Sequence, residues 1–123
     1  MYEVTIRKSF AAAHKLAEIG GKCEELHGHN FQVEVTVAAA KLNDLGILID
    51  FRTVKKWLGE VLACLDHKYI NDLEAFSGSN PSAENMARFI FQEIAKRATA
   101  EQVTLSRVKI WESDEASVVY TEE

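Results

Sequence analysis

The nine residues CEELHGHNF, at positions 23–31, place a thiol close to two histidines that are two positions apart. In an extended segment His27 and His29 point to the same side, so their imidazoles supply half of a zinc site. Gly28 between them permits a close approach of another chain segment. The stretch therefore indicates either a structural zinc clip that includes Cys23 or a metal centre with a reactive thiol beside it.

A third metal ligand must come from a neighbouring element, and His14 stands at the end of the first predicted strand. If this strand pairs with the one that begins near His29, His14 falls beside the other two histidines. Three imidazoles suit zinc without carboxylate ligands. With Cys23 as a fourth ligand the site would be closed and structural, whereas three histidines leave a position open for catalysis. We favour the open site, because a chain with long apolar strands and amphipathic helices hardly needs a metal clip.

Three further residues could take part in chemistry. Asp66 precedes His67 near the end of a predicted helix, where a carboxylate can orient an imidazole and favour its protonated form. The pair can equally be a helix C-terminal pair in which the histidine interacts with the dipole. Glu112 falls on the apolar face of a predicted strand, where a carboxylate can receive two hydrogen bonds from an amidine-like ring edge. A solvated glutamate near the SDEA turn is the alternative for that residue.

The elements that must position these residues follow from hydrophobic periodicity. Alternation predicts strands, and apolar residues at steps of three and four predict helices, with Asp50 capping the first helix and Asn80-Pro81 starting the second. The phase of the third strand slips between Leu105 and Val108, which indicates a bulge. The predicted elements are strands at 2–13, 29–41, 103–112 and 116–121 and a helix at 51–65, with a second helix from residue 80 whose apolar stripe runs to Ala98.

The order ββααββ predicts an α+β fold, in which both helices cover one face of a four-stranded antiparallel sheet. The 123 residues make one domain, 1–123, and a second core would not fit. Because the strand edges and the second sheet face remain uncovered, we expect an oligomer. Cys64 lies beside the buried stripe of the first helix and is interpreted as a packing residue.

Composition limits the partners and the compartment. The formal net charge of −5 argues against a nucleic-acid partner, although it leaves room for a small anionic substrate. We expect no membrane span, since no segment approaches the roughly 18 apolar residues that a span needs. The N-terminus alternates apolar and polar residues rather than forming a signal peptide, so a cytoplasmic location is expected and a disulfide between Cys23 and Cys64 is not.

In combination, these motifs resemble the 6-pyruvoyl-tetrahydropterin synthase and 6-carboxytetrahydropterin synthase family. The resemblance covers nearly the whole chain and the ββααββ order of that family's tunnelling fold. The short gap between Cys23 and His27 looks like the bacterial 6-carboxytetrahydropterin synthases. The segments that carry the resemblance are FAAAH (10–14), CEELHGHNF (23–31), LDH (65–67), NPSAEN (80–85) and WE (111–112).

The resemblance implies roles for individual residues. The thiol would be the catalytic base of a proton-relay triad that is completed across a subunit boundary, and one carboxylate would anchor the pterin ring. Trimers that close their sheets into a barrel, stacked in pairs as a homohexamer, would cover the strand edges. The implied groups are the zinc ligands His14, His27 and His29, the catalytic residues Cys23, Asp66 and His67, and the substrate-binding residues Glu112, Ser82 and Glu84.

The implied activity is a zinc-dependent lyase reaction on 7,8-dihydroneopterin triphosphate. It would yield 6-carboxytetrahydropterin, acetaldehyde and triphosphate, a step toward 7-deazaguanine and queuosine. Lys15, Lys22 or Arg52 could bind the triphosphate. The sequence does not distinguish between these three residues. Three alternatives stay open: a 6-pyruvoyl synthase with the same site, a zinc hydrolase of a purine-like ring that uses Glu24 or Glu25 as its base, and a non-catalytic structural zinc module.

Overall fold

The protein forms an α+β fold with the predicted order of elements. A computed structural model describes residues 1–16 and 27–122, and at residue 27 the backbone only. Two short 3-10 turns, Ile70–Asp72 and Glu74–Phe76, lie between the helices. The strands and helices are β1 (Tyr2–His14), β2 (His27–Ala39), α1 (Phe51–Leu62), α2 (Ala83–Ala98), β3 (Thr104–Ser113) and β4 (Ala116–Tyr120).

The four strands form one antiparallel sheet in the order β1-β2-β3-β4. In the register of β1 and β2, Phe10 lies opposite Phe31 and His14 opposite His27. The predicted pairing of the first two strands is therefore confirmed. Since side chains alternate between the two faces of a strand, this register decides which residues of β1 and β2 meet at the same end and on the same face.

Both helices cover the same face of the sheet, as predicted. The strand residues on this face, from Phe31 to Val37 in steps of two, are fully buried, and the rings of Phe10 and Phe31 stack with centroids 5.0 Å apart. Helix α2 packs on β3 and β4, while α1 packs on β1 and on α2. Burial of each such side chain contributes about 1.5–3 kcal/mol, so the two helices and the sheet hold one another in place.

The opposite sheet face is polar, as expected of an antiparallel sheet with one face on the core. Glu34 accepts hydrogen bonds from the indole N–H of Trp111 (2.8 Å) and from the guanidinium of Arg7 (2.6 Å). These two donors, the indole foremost, lower the pKa of the Glu34 carboxyl. On the same face the hydroxyls of Thr5 and Thr36 are 2.8 Å apart.

Two register shifts interrupt the ladders of β3. Thr36 pairs with Arg107 but Val37 pairs with Leu105, so Ser106 is an extra residue, and the bulge predicted between Leu105 and Val108 is confirmed. A second shift lies between Trp111 and Ser113 in the pairing with β4. The residue passed over there is Glu112, and a bulge at that position changes the direction of its side chain.

Helix α1 begins as predicted but ends early. Asp50 is the N-cap, and its carboxylate accepts the Arg52 backbone N–H at 2.8 Å. The helix ends at Leu62 rather than near residue 65, and turns follow it. As a result Cys64 is a free, exposed thiol, and its interpretation as a packing residue is wrong, because the helical periodicity that placed it beside the buried stripe does not extend that far.

The predicted start of α2 at Asn80-Pro81 is also wrong. Ser82 is the N-cap, and its hydroxyl accepts the backbone N–H of Asn85 at 3.1 Å. The first helical hydrogen bond runs from Met86 N–H to the Ser82 carbonyl. Pro81 therefore precedes the helix, and its carbonyl oxygen is free to accept a bond from outside it.

Loss of the Ser82 cap is expected to destabilise the fold measurably. Ser82→Ala removes the oxygen that accepts the Asn85 N–H, which should lower the free energy of unfolding by about 1 kcal/mol. Ser82→Thr keeps a hydroxyl and is the matched control, with a smaller loss expected. Chemical denaturation of the metal-free protein measures both; equal stability of the alanine variant and the parent would contradict the capping role.

Within residues 1–16 and 27–122, neither helix combines the length and the apolar character needed to cross a lipid bilayer.

Candidate functional site

Two histidines and a carboxylate meet at one end of the sheet. The potential ligand atoms of His14, His29 and Glu112 all lie within 4.8 Å of one another. The rings of His14 and His29 are 5.4 Å apart at an interplanar angle of 81°. His14 Nε2 is 3.3 Å from Glu112 Oε1. Imidazole and carboxylate groups are the usual nitrogen and oxygen ligands of zinc, so this donor set fits the metal that the sequence predicts.

The register of the sheet brings these residues together. His14 ends β1, and His29 lies opposite Ala12, so the two histidines are diagonal neighbours on the helix-covered face. Phe31, on the same face of β2, contacts both rings, with centroids 5.5 Å from His14 and 5.3 Å from His29. The His14 side chain is completely buried. The core therefore fixes the positions of both imidazoles before any ligand binds.

A backbone carbonyl sets the tautomer of His14. His14 Nδ1 is 2.7 Å from the Pro81 carbonyl oxygen, which can only accept, so Nδ1 carries the hydrogen. This leaves Nε2 as the atom that faces Glu112, and such bonds to a second partner orient metal-ligating histidines. The segment before α2 is in turn held by Asn85, whose side-chain amide donates to the Asn80 carbonyl at 2.7 Å. These roles of Pro81 and Asn85 do not follow from local sequence patterns, although both residues belong to the NPSAEN motif.

Glu112 also lines a cavity of about 190 Å³ beside the histidines. All three predicted substrate-binding residues, Ser82, Glu84 and Glu112, border this cavity. Among the described residues that line it, two are carboxylates and none is a lysine or arginine. Such a lining favours a ligand that presents N–H donors and disfavours a phosphate group. The other lining residues are Leu16, Ala83, Ile110, Ala116, Ser117 and Val118.

Asp66 and His67 lie along the outer edge of β1. The Ala11 backbone N–H donates to Asp66 Oδ1 at 2.9 Å, and the His67 N–H donates to the Ala11 carbonyl. The remaining Asp66 oxygen is 3.0 Å from His67 Nδ1. His67 has a φ of 58°, a left-handed conformation that is uncommon for a non-glycine residue. Its side chain is 82% exposed, so the ring is oriented by Asp66 and presented away from the subunit.

The surroundings of Asp66 make a prediction about stability and pH. The Ala11 N–H, followed by His67, lowers the pKa of the Asp66 carboxyl. The resulting stabilisation is fully present above the unfolded-state pKa, about 3.9, and is lost as the pH falls through the lowered folded-state pKa. The difference in unfolding free energy between the parent and Asp66→Asn should therefore be constant from pH 7 to about pH 5 and shrink at lower pH.

Denaturant titrations of both proteins between pH 7 and pH 2.5 measure this difference. The other carboxyl groups titrate in both proteins, so their contributions cancel in the difference between the two unfolding free energies. A difference that does not change with pH would show that the carboxylate of Asp66 is not stabilised in the fold.

Several predicted residues fall elsewhere. Cys23 lies outside the described residues, as do Lys22 and the His27 side chain. Lys15 directly follows His14 and is exposed, and its backbone is held by two bonds of 2.8 Å to the Asn71 side chain. Arg52 pairs with Asp50, which borders a cavity together with Ala39, at the far end of β2. That end is about 33 Å from His29 at roughly 3.3 Å per residue, so within one subunit Lys15, and not Arg52, is near the metal group.

Several known proteins are similar to this chain over almost its whole length. The family model described as 6-pyruvoyl tetrahydropterin synthase matches residues 3–123. A 6-carboxy-5,6,7,8-tetrahydropterin synthase of Rickettsia conorii is 31% identical, over 92% of this chain and 95% of its own. A dihydroneopterin monophosphate aldolase of Pyrococcus furiosus is 37% identical, over 94% of this chain and 93% of its own.

A solved structure supports the same grouping. The 6-pyruvoyl tetrahydropterin synthase of Caenorhabditis elegans superposes with a TM-score of 0.84 and 28% identity, and the match covers 100% of this chain and 98% of the other. The match of the family model over almost all of the chain, together with these relatives, shows that the protein belongs to the 6-pyruvoyl tetrahydropterin synthase family.

Proposed function

We propose that the protein is a zinc-dependent 6-carboxy-5,6,7,8-tetrahydropterin synthase. It converts 7,8-dihydroneopterin triphosphate, with uptake of water, into 6-carboxytetrahydropterin, acetaldehyde and triphosphate. The observation that carries the proposal is the contact between His14 and Glu112, which joins the histidine pair to a cavity with an anionic lining. Ring recognition and side-chain chemistry can then occur next to each other. The pathway that we assign is 7-deazaguanine and queuosine synthesis in the cytoplasm.

Zinc is held in this proposal by His14, His27 and His29. The grouping of the ligand atoms of His14 and His29 supports the site, and the backbone of His27 lies opposite that of His14 in the register of β1 and β2. When bound, zinc supplies a Lewis acid that lowers the pKa of the substrate's side-chain hydroxyl groups.

The pterin ring occupies the cavity beside Glu112. The amino group and neighbouring ring N–H of a pterin form a planar pair of donors that matches one carboxylate. Ser82 and Glu84 line the same cavity and contact the remaining ring edge. Since the described lining holds no lysine or arginine, the triphosphate points out of the cavity, toward the side where Lys15 is exposed.

Proton transfer is assigned to Cys23 and to the Asp66–His67 pair. Cys23 acts as the thiolate base on the substrate side chain, since a nearby cation or imidazole lowers a thiol pKa. Asp66 orients His67, which returns protons to the substrate. Because the His67 ring projects from the outer edge of β1, it serves the site of a neighbouring subunit. A homohexamer of two stacked trimers supplies that neighbour.

Two family relatives define the competing products. A 6-pyruvoyl synthase would use the same residues and release no acetaldehyde. An aldolase that acts on the monophosphate is favoured by the 37% identity of the Pyrococcus furiosus relative. That reaction would break the bond between the first two side-chain carbons and release a phosphorylated two-carbon aldehyde.

Incubation with each substrate distinguishes these activities. The zinc-loaded protein is given 7,8-dihydroneopterin triphosphate or the monophosphate, and pterins and aldehydes are identified by mass spectrometry. We expect 6-carboxytetrahydropterin and acetaldehyde in equal amounts from the triphosphate, and no turnover after zinc removal. Formation of a phosphorylated aldehyde from the monophosphate at a higher kcat/KM would replace the proposal with the aldolase. No turnover of either substrate would favour a structural zinc module.

A further inference from the structure

We propose that Glu112 is a metal ligand when no pterin is bound and gives up the metal when the ring arrives. The side chain would thereby close the catalytic coordination position in the resting protein and open it only for substrate. The inference rests on the proposed function for the identity of the ring, whereas the bond between metal and carboxylate stands on the geometry of the site.

The first argument is the contact between Glu112 and His14. The Pro81 carbonyl fixes the hydrogen of His14 on Nδ1, so the atom that faces the carboxylate is Nε2, with its lone pair. A cation placed between Nε2 and Oε1, which are 3.3 Å apart, would be attracted by both atoms. Zinc–nitrogen and zinc–oxygen bonds of about 2.0–2.1 Å at a tetrahedral angle separate the two ligand atoms by about 3.3–3.4 Å. The observed separation of 3.3 Å matches this spacing.

The second argument is the position of Glu112 in the fold. It is the extra residue where the β3–β4 register shifts, so its side chain is aimed by a bulge rather than by the regular pleat. The side chain is 35% exposed, in contrast to the fully buried His14, and has room to turn. It borders both the histidine pair and the cavity. Small rotations of one side chain therefore suffice to exchange the metal for the ring.

The two uses of the carboxylate compete with each other. Bidentate recognition of a ring edge engages both oxygens, so the ring N–H groups and the metal share the negative charge of Oε1 and each bond weakens the other. Binding of the ring and of the carboxylate to the metal are then coupled, and the coupling must be reciprocal. A pterin without a side chain has no hydroxyl group that could replace the carboxylate on the metal. It should therefore bind more tightly to the metal-free protein than to the zinc-loaded protein.

The test compares Glu112→Gln with Glu84→Gln, a matched control that lines the same cavity. Zinc affinity is measured by competition with a chromophoric chelator, and the coordination of Co²⁺ by visible absorption. We expect Glu112→Gln to raise the Kd for zinc at least about tenfold and to change the Co²⁺ spectrum, while Glu84→Gln changes the Kd less than about twofold. Unchanged zinc affinity and an unchanged Co²⁺ spectrum in Glu112→Gln would overturn the inference.

A second measurement needs no variant. Addition of pterin itself to the Co²⁺-loaded parent should change the visible spectrum as the carboxylate leaves, and a spectrum unaffected at saturating pterin would overturn the exchange. Neither readout involves turnover of dihydroneopterin triphosphate. Failure of the proposed reaction and failure of this inference are therefore seen in separate experiments.

Discussion

Cys23→Ala is expected to lower kcat by about 10²–10⁴-fold while the protein keeps its full zinc content. The range is what a general base typically contributes when it is positioned in an active site. In the sequence the thiol lies four residues before His27, and in the proposed site a zinc ion beside it would favour the thiolate. If the thiol takes a proton from the substrate and does not bind the metal, its removal should affect turnover alone.

The chain contains a matched control for this variant. Cys64 is its second cysteine and is a free, exposed thiol, so Cys64→Ala should retain both zinc and activity. Rates are measured with saturating substrate and zinc content by elemental analysis. A Cys23→Ala protein that loses zinc would identify the cysteine as a ligand, and one that keeps its activity would favour the hydrolase, with Glu24 or Glu25 as the base.

His29→Ala is expected to abolish both metal binding and turnover. His29 is only partly buried, so its truncation should leave the fold intact, whereas His14 is fully buried and bonded to Pro81. Removal of one ligand from a three-histidine site should weaken the binding of zinc so far that the protein no longer competes with micromolar chelator for the metal. Circular dichroism checks the fold, and dialysis against the chelator followed by elemental analysis checks the metal.

His67→Ala is the matched histidine variant and should separate metal binding from turnover. Its ring is exposed at the outer edge of β1 and oriented by Asp66, so the variant should keep zinc and lose about 10²–10⁴-fold in kcat. Loss of zinc from His67→Ala would mean that the metal lies elsewhere. Full activity would exclude His67 from proton transfer.

Much of the fold follows from local patterns in the sequence. Alternation in residues 2–13 and the apolar stripe around Val54, Leu58 and Val61 predict elements whose burial the structure confirms. The phase slip after Leu105 predicts a bulge for the same reason, since an inserted residue reverses the inward and outward faces. These features can be predicted from the sequence because each depends on residues that are neighbours along the chain.

The features that the sequence did not predict depend on contacts between distant segments. Asn80-Pro81 has the pattern of a helix start, but Ser82 caps the helix and the Pro81 carbonyl serves His14, which is 67 residues away. Glu112 lies 3.3 Å from His14 although the two residues are on strands far apart in the sequence, and it is the residue passed over where the β3–β4 register shifts. Periodicity along one strand places Glu112 on the correct face but does not reveal that it reaches the histidines.

The central claim is that nitrogen and oxygen atoms alone hold the zinc ion, next to a thiol that is not a ligand. X-ray absorption at the zinc edge of the zinc-loaded protein tests it most directly. We expect scattering from nitrogen and oxygen neighbours at about 2.0–2.1 Å, with the multiple-scattering signature of imidazoles, and no sulfur neighbour. A sulfur neighbour at about 2.3 Å would make Cys23 a ligand and the site structural, in contradiction of the proposed chemistry.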